Sequence, residues 1–136
     1  MNELLTRYYR LMPTEKQRAL TDKYQQARSL VKSVLKCDNK LVPSHNDLVL
    51  ENILLEGIGI DEQKIWLVDW EYASMASPYW DLATLCNQAG FTPDQEESLL
   101  KLYQINGSIL DLILLKKYRD LLDALSTFWM AAFTSN

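Results

Sequence analysis

Apolar positions in this chain recur at helical spacing near both ends and at strand spacing only in the middle. Leu4, Leu5, Tyr8, Leu11 and Met12 form a stripe over residues 3–12, which predicts a short helix. Pro13 interrupts it, and Thr14-Glu15-Lys16-Gln17 has the form of a capping box. The helix opened there is expected to reach about Cys37, with Leu20, Tyr24, Ala27, Leu30, Val31, Val34 and Leu35 on its buried side. From Lys40 the period changes. Residues 40–44 read as a brief extended segment containing Pro43. Residues 52–56 and 64–70 read as strands, and the turn-forming residues 57–63 between them predict a hairpin. In an antiparallel hairpin the start of the first strand faces the end of the second. Asn52 and Asp69 are therefore expected at the same end.

Helical spacing then returns. The chain reads as irregular from Trp70 through Pro78, then as a helix over residues 80–88 that ends at Gly90. Thr92-Pro93-Asp94-Gln95 is a second capping box with proline at the first helical position. Its helix is expected to run to about Ile105. Asn106-Gly107 predicts a turn, and Ser108-Ile109-Leu110-Asp111 caps a last helix carrying Leu110, Ile113, Leu114, Tyr118, Leu121, Leu122 and Leu125. The run from Phe128 to Phe133 is apolar to the end, a surface suited to a neighbour and to self-association. The pattern as a whole predicts an α+β fold, mainly α.

Composition narrows the classes. The 136 residues suffice for one domain with a core. A net charge of −4 argues against a nucleic-acid or anionic-membrane partner and suits a small cationic substrate. The two cysteines, Cys37 and Cys86, form no C-x-x-C pair and read as buried reduced thiols. The single histidine leaves little for a His-based zinc site. Residues 1–7 carry no signal-peptide pattern, and Asp111 and Asp123 break the longest apolar stretches below membrane-spanning length. These features predict a cytoplasmic protein without membrane insertion.

The chemistry lies in Ser44-His45-Asn46-Asp47-Leu48-Val49-Leu50-Glu51-Asn52. The spacing H-x-D-x-x-x-x-N is that of a protein-kinase catalytic loop. Asp69 follows Asn52 by 17 residues, at the end of the second predicted strand. Phosphoryl transfer from ATP needs metal ions on the phosphates and a residue that orients the attacking hydroxyl. Mg²⁺ takes hard oxygen ligands, usually one or two carboxylates plus phosphate oxygens. Asp47 is the candidate hydroxyl-orienting residue or general base, and Asn52 and Asp69 are the candidate Mg²⁺ ligands. Glu71 lies within reach of the same metal, directly behind it or through a water. His45 is expected to hydrogen-bond backbone near Asp69 rather than carry protons. Set against this reading is the chance occurrence of a lone motif, since Asp and Asn favour loops in any case.

Three segments together resemble a known family. Ser-His-Asn-Asp-Leu-Val-Leu-Glu-Asn-Ile-Leu-Leu, then Trp-Leu-Val-Asp-Trp-Glu-Tyr-Ala, then Pro-Tyr-Trp-Asp-Leu-Ala resemble the aminoglycoside phosphotransferase and choline kinase superfamily, and within it the bacterial choline/ethanolamine kinases. The block covers about residues 41–86. The resemblance implies a protein-kinase-like C-terminal lobe with a small β-hairpin at the catalytic loop. It implies that Asp47 is catalytic, that Asn52 and Asp69 bind metal, and that Asp81 supports the loop. From the residues alone, Asp81 is only a cap of the helix it begins. The resemblance also implies ATP and a small cationic alcohol such as choline as substrates. Aromatic faces with a nearby carboxylate hold quaternary ammonium groups. Trp70, Tyr72, Tyr79, Trp80 and Trp129 are available with Glu71, although large aromatics are as readily core. By resemblance Tyr72 lies near the choline pocket. Trp129 corresponds to the first of two family tryptophans spaced three apart, where this chain has Ala132 in the second place.

A kinase of this fold also needs a nucleotide-covering lobe with a flexible phosphate loop and a strand lysine. Only 44 residues precede His45, and they contain no glycine. Gly57-Ile58-Gly59 is explained by the hairpin turn. The whole of residues 1–136 is therefore expected to be a single C-terminal, catalytic-loop lobe that lacks the N-terminal lobe and does not turn over ATP alone. Two functional classes follow: the catalytic lobe of a small-molecule kinase (for choline, or alternatively an aminoglycoside or thiamine), or a degenerate lobe that acts as a non-catalytic interaction module.

Overall fold

The structure is a computed structural model that describes residues 1–57, 62–103 and 111–134. The chain packs as two units: Met1–Asn39 with the chain from Lys116 on, and Lys40–Leu115.

The first unit is helical. It contains α1 (Asn2–Leu11), α2 (Thr14–Ala19), α3 (Thr21–Cys37) and most of α6 (Leu112–Phe133). Leu5, Met12, Tyr24, Ala27, Val31, Val34, Tyr118, Leu121, Ala124, Leu125 and Phe128 are buried, each large side chain stabilising by about 1.5–3 kcal/mol. The rings of Tyr9 and Tyr24 stack at 4.0 Å, and Phe128 meets Tyr24 edge-on at 6.2 Å. Polar side chains join α3 to α6 as well. Lys117 Nζ donates to Ser33 Oγ at 2.8 Å, and Tyr118 donates to Asp38 Oδ2 at 2.8 Å. Leu35, expected inside, is 64% exposed.

Two expectations for this unit fail on local hydrogen bonding. The helix predicted from Thr14 to Cys37 breaks at Leu20, where φ is −105° and ψ 10°. The Gln17 carbonyl there accepts from the hydroxyls of Tyr9 and Thr21, both at 2.9 Å. The Thr14 capping box does not form, because Pro13 is the cap residue and makes no side-chain cap bond. That shifts Gln17 one position too deep. Its amide nitrogen instead donates to the Met12 carbonyl at 2.8 Å, closing the end of α1.

The second unit carries both small sheets. Strand β2 (Ile53–Glu56) pairs antiparallel with β3 (Lys64–Leu67), Ile53 opposite Leu67. This is the expected hairpin, with shorter strands. Its tip, residues 58–61, lies outside the described residues, as do the turn expected at Asn106-Gly107 and the Ser108–Leu110 part of the predicted cap. Strand β1 (Val42–Ser44) pairs with β4 (Ser74–Ala76), Ser44 opposite Ser74. This corrects the irregular reading of residues 70–78. Ser-Met-Ala shows neither alternation nor β-branching, and its partner lies some thirty residues away, so no local pattern marks it. Helix α4 (Pro78–Ala89) is capped by Ser77 and closed by Gly90 at φ 63°. Helix α5 (Pro93–Leu102) has the complete Thr92–Gln95 capping box. Asp111 Oδ1 accepts the Ile113 amide at 2.7 Å and caps α6.

Cys86 is buried, but Cys37, expected to be buried, is exposed; neither forms a disulfide. Among the described residues no helix is long and apolar enough to cross a membrane.

Candidate functional site

The candidate residues of the second unit converge on the loop after β1. Ser44 leaves the strand buried, and His45 follows at 2% exposure. Asn46 then turns the chain through the left-handed region, φ 64°. Asparagine and aspartate enter that region more readily than other side chains with a Cβ. The turn sends Asp47 out, half-buried, and a 3₁₀ turn at Leu50–Asn52 leads into β2.

Asp81, in the first turn of α4, holds the bend. Its Oδ2 accepts the His45 amide at 2.7 Å and its Oδ1 accepts the Asn46 amide at 2.8 Å. Two charge-assisted bonds of this kind contribute about 1.5–3 kcal/mol each. Trp80 adds a third tie, its Nε1 donating to the Asn46 carbonyl at 3.2 Å.

His45 reaches the other segment. Its Nε2 lies 2.8 Å from the Val68 carbonyl oxygen. A carbonyl only accepts, so Nε2 carries the proton. The Nδ1 atom is buried without a hydrogen-bond partner. The ring packs against Trp70 at 4.7 Å. The ladder continues past the strands, since Val68 N donates to the Asn52 carbonyl at 3.0 Å. Asn52 is thus level with Val68, one residue before Asp69. Asp69 also takes the left-handed conformation, φ 62°, which lifts it off the strand line.

The donor set suits a hard cation. Asn52 is buried, and its Nδ2 donates to the Asp47 carbonyl at 2.9 Å and to Asp47 Oδ2 at 3.3 Å. Its carboxamide oxygen is thereby left as the free acceptor. The exposed Asp69 carboxylate makes no hydrogen bond or ion pair among the described residues. An amide oxygen and one or two carboxylates fit Mg²⁺, which completes its shell with phosphates and water. No group of three His, Cys, Asp or Glu side chains able to hold a metal occurs among the described residues.

The field around the site is negative. Residues 41–56 and 65–82 contain no Lys or Arg but hold Asp47, Glu51, Glu56, Asp69, Glu71 and Asp81. Tyr72 registers this. Its phenol is held above the usual value of 10.0, first by a hydrogen bond to Glu71, then by the charge of Glu71, by desolvation and, least, by the charges of Asp47 and Asp69. Tyr72 is 61% exposed and Trp70 52%. Trp129 belongs to the first unit, on α6, with its ring 5.9 Å from Phe133; a binding role for it rests on the resemblance.

A family model for choline/ethanolamine kinase matches residues 1–111. The chain belongs to this family. Protein LicA of Haemophilus influenzae is 36% identical over 63 residues, 46% of this chain and 22% of that protein. The crystal structure of the choline kinase LicA from Streptococcus pneumoniae matches with 27% identity and a TM-score of 0.79, covering 96% of this chain and 46% of that one. A structure of LicA in complex with AMP matches at TM-score 0.76 and 27% identity, covering 96% of this chain and 45% of that one. The chain thus spans less than half the length of these relatives. It has the mainly helical, kinase-like fold of the family.

The motif spacing did not single out Asn46 or Ser74. Asn46 Nδ2 donates to the Tyr72 carbonyl at 2.9 Å and to Ser74 Oγ at 2.8 Å. The available signal was a residue tolerant of positive φ placed between histidine and aspartate.

Proposed function

We propose that residues 1–136 form the C-terminal, catalytic-loop lobe of an ATP-dependent phosphotransferase. The acceptor is a hydroxyl of choline or a related amino alcohol. The observation that carries this reading is the tie between two segments. His45 and the Asn52 backbone both bond Val68, which sets Asp47 and Asn52 beside Asp69. Asp47 orients the acceptor hydroxyl and takes its proton as the phosphoryl group transfers. Asn52 Oδ1 and Asp69 would hold Mg²⁺, which when bound neutralises phosphate charge. Membership of the choline/ethanolamine kinase family and the AMP complex of LicA support an adenine nucleotide as donor. The acidic segments and the exposed rings of Trp70 and Tyr72 support a cationic acceptor, since an ammonium over an aromatic face gains about 0.5–2 kcal/mol.

The test joins residues 1–136 to the nucleotide-covering lobe of a family member and measures ATP turnover with choline, ethanolamine, thiamine and an aminoglycoside. Choline or ethanolamine is expected to be the preferred acceptor. Asp47→Ala is expected to lower kcat by about 10²–10⁴-fold. Undiminished turnover in that variant would sink the role given to Asp47.

One observation favours a second reading, an interaction module. Leu54 with Trp66 on one face of the hairpin, and Leu55 with Ile65 on the other, are 50–66% exposed, apolar surface of the kind that marks association. This reading expects the 136-residue chain to self-associate; a monomer in sedimentation equilibrium would count against it.

A further inference from the structure

Asn46 carries more bonds than a residue merely passing between His45 and Asp47 requires. Its amide is held by Asp81 and its carbonyl by Trp80. Its side-chain Nδ2 has two protons, and two close acceptors lie on the far segment: the Tyr72 carbonyl at 2.9 Å and Ser74 Oγ at 2.8 Å. A third contact, to the Ser44 carbonyl two residues back in the chain, is longer at 3.4 Å. The far segment is a tight turn, in which the Ala73 amide donates to the Trp70 carbonyl at 3.0 Å. That turn displays Glu71 and Tyr72.

Two demands meet at this position. The backbone needs a residue that accepts φ 64°, which glycine, asparagine and aspartate do. The turn needs a donor for both a carbonyl and a hydroxyl. Glycine has no side chain for this. Aspartate would set a carboxylate against the Tyr72 carbonyl, acceptor facing acceptor. Asparagine alone among the three satisfies both.

Resting on the phosphotransfer reading, we infer that Asn46 is a positioning residue for the acceptor: its carboxamide locks the Trp70–Ala73 turn to the Asp47 loop and so fixes Glu71 and Tyr72 relative to Asp47. The lock lies on the acceptor side of Asp47, whereas Asn52 and Asp69 form the metal side. Loosening it therefore changes how the alcohol is held more than how the nucleotide is held.

The test compares wild type with Asn46→Gly, Asn46→Asp and Ser74→Ala. Asn46→Gly keeps the backbone conformation and removes the lock. Hydrogen exchange of the 136-residue chain is expected to quicken about tenfold at Ala73 in Asn46→Gly and Asn46→Asp, and less in Ser74→Ala, with the His45 amide still protected by Asp81. In the protein joined to its nucleotide-covering lobe, KM for choline is expected to rise about tenfold with KM for ATP within twofold. Unchanged exchange at Ala73 overturns the lock, and equal rises in both KM values overturn the acceptor-specific role. Wild-type protein that exchanges normally but transfers no phosphoryl group overturns the phosphotransfer reading instead, which separates the two failures.

Discussion

His45 and Val68 are joined ring to backbone, Nε2 to carbonyl oxygen at 2.8 Å, across 23 residues of sequence. The bond crosses from the segment of Asp47 to the segment of Asp69. Both partners adjoin a residue in the left-handed conformation, Asn46 at φ 64° and Asp69 at φ 62°. Each such residue costs free energy that the surrounding bonds must offset. The histidine is therefore part of what holds two strained bends in register.

Replacing His45 by Phe tests this. Phe keeps a flat ring against Trp70 but donates nothing to the Val68 carbonyl. Leaving that acceptor unpaired is expected to cost about 1–3 kcal/mol, offset in part because the unpartnered Nδ1 goes too. Urea unfolding of the 136-residue chain is the measurement. A variant as stable as wild type would mean that the bond contributes nothing net.

Asp81 acts on the same bend from α4. Asp81→Ala removes the acceptor of two amides, one of them in the buried His45. A loss of about 3 kcal/mol or more is expected. Asp81→Asn keeps one oxygen and turns an NH₂ toward the other amide, so its loss should be smaller than that of the alanine variant but still clear. Thermal or urea unfolding ranks the three proteins; equal stability of Asp81→Asn and Asp81→Ala would remove the two-bond account.

Much of this was legible because it is local. The hairpin followed from two short β-rich runs around a turn, and α4 and α5 from Gly90 and the Thr92–Gln95 box. What was hidden depends on distant partners. β4 exists because residues 74–76 meet residues 42–44, and Ser-Met-Ala says nothing of that by itself. The break at Leu20 depends on a hydroxyl from Tyr9 in another helix. At the site, the spacing of Asp47, Asn52 and Asp69 was readable as a motif. The carboxylate clamp of Asp81 was readable only through family resemblance, since its partners lie 35 and 36 residues away. Asn46 was hidden for the same reason: its partners are 26 and 28 residues along the chain.

The two threonine boxes make a paired test of local reading. Thr92 Oγ1 accepts the Gln95 amide and Gln95 Oε1 accepts the Thr92 amide at 2.9 Å. Thr14 lies inside its helix and caps nothing. Thr92→Ala is expected to cost about 1 kcal/mol, while Thr14→Ala, on an exposed first turn, should stay within about 0.5 kcal/mol. Equal losses in chemical denaturation would show that the boxes do not differ energetically.

Tyr72 reports the field of the site through its own titration. Its phenol is held above 10.0, the hydrogen bond to Glu71 being the largest cause and the charges of Asp47 and Asp69 the smallest. The folded-state value exceeds the unfolded one, so the neutral phenol is the favoured form. Its contribution to stability is therefore complete below pH 10 and is lost as pH rises through the folded value. The ring is 61% exposed, so salt should weaken the charge contributions and leave most of the hydrogen bond. Glu71→Gln is expected to move the Tyr72 midpoint down toward 10, and Asp47→Asn to move it less. Tyrosine-ring NMR, with Tyr72→Phe to assign the resonance among seven tyrosines, follows the titration. A larger drop with Asp47→Asn than with Glu71→Gln would reverse the order of causes and place the phenol nearer to Asp47 than to its neighbour.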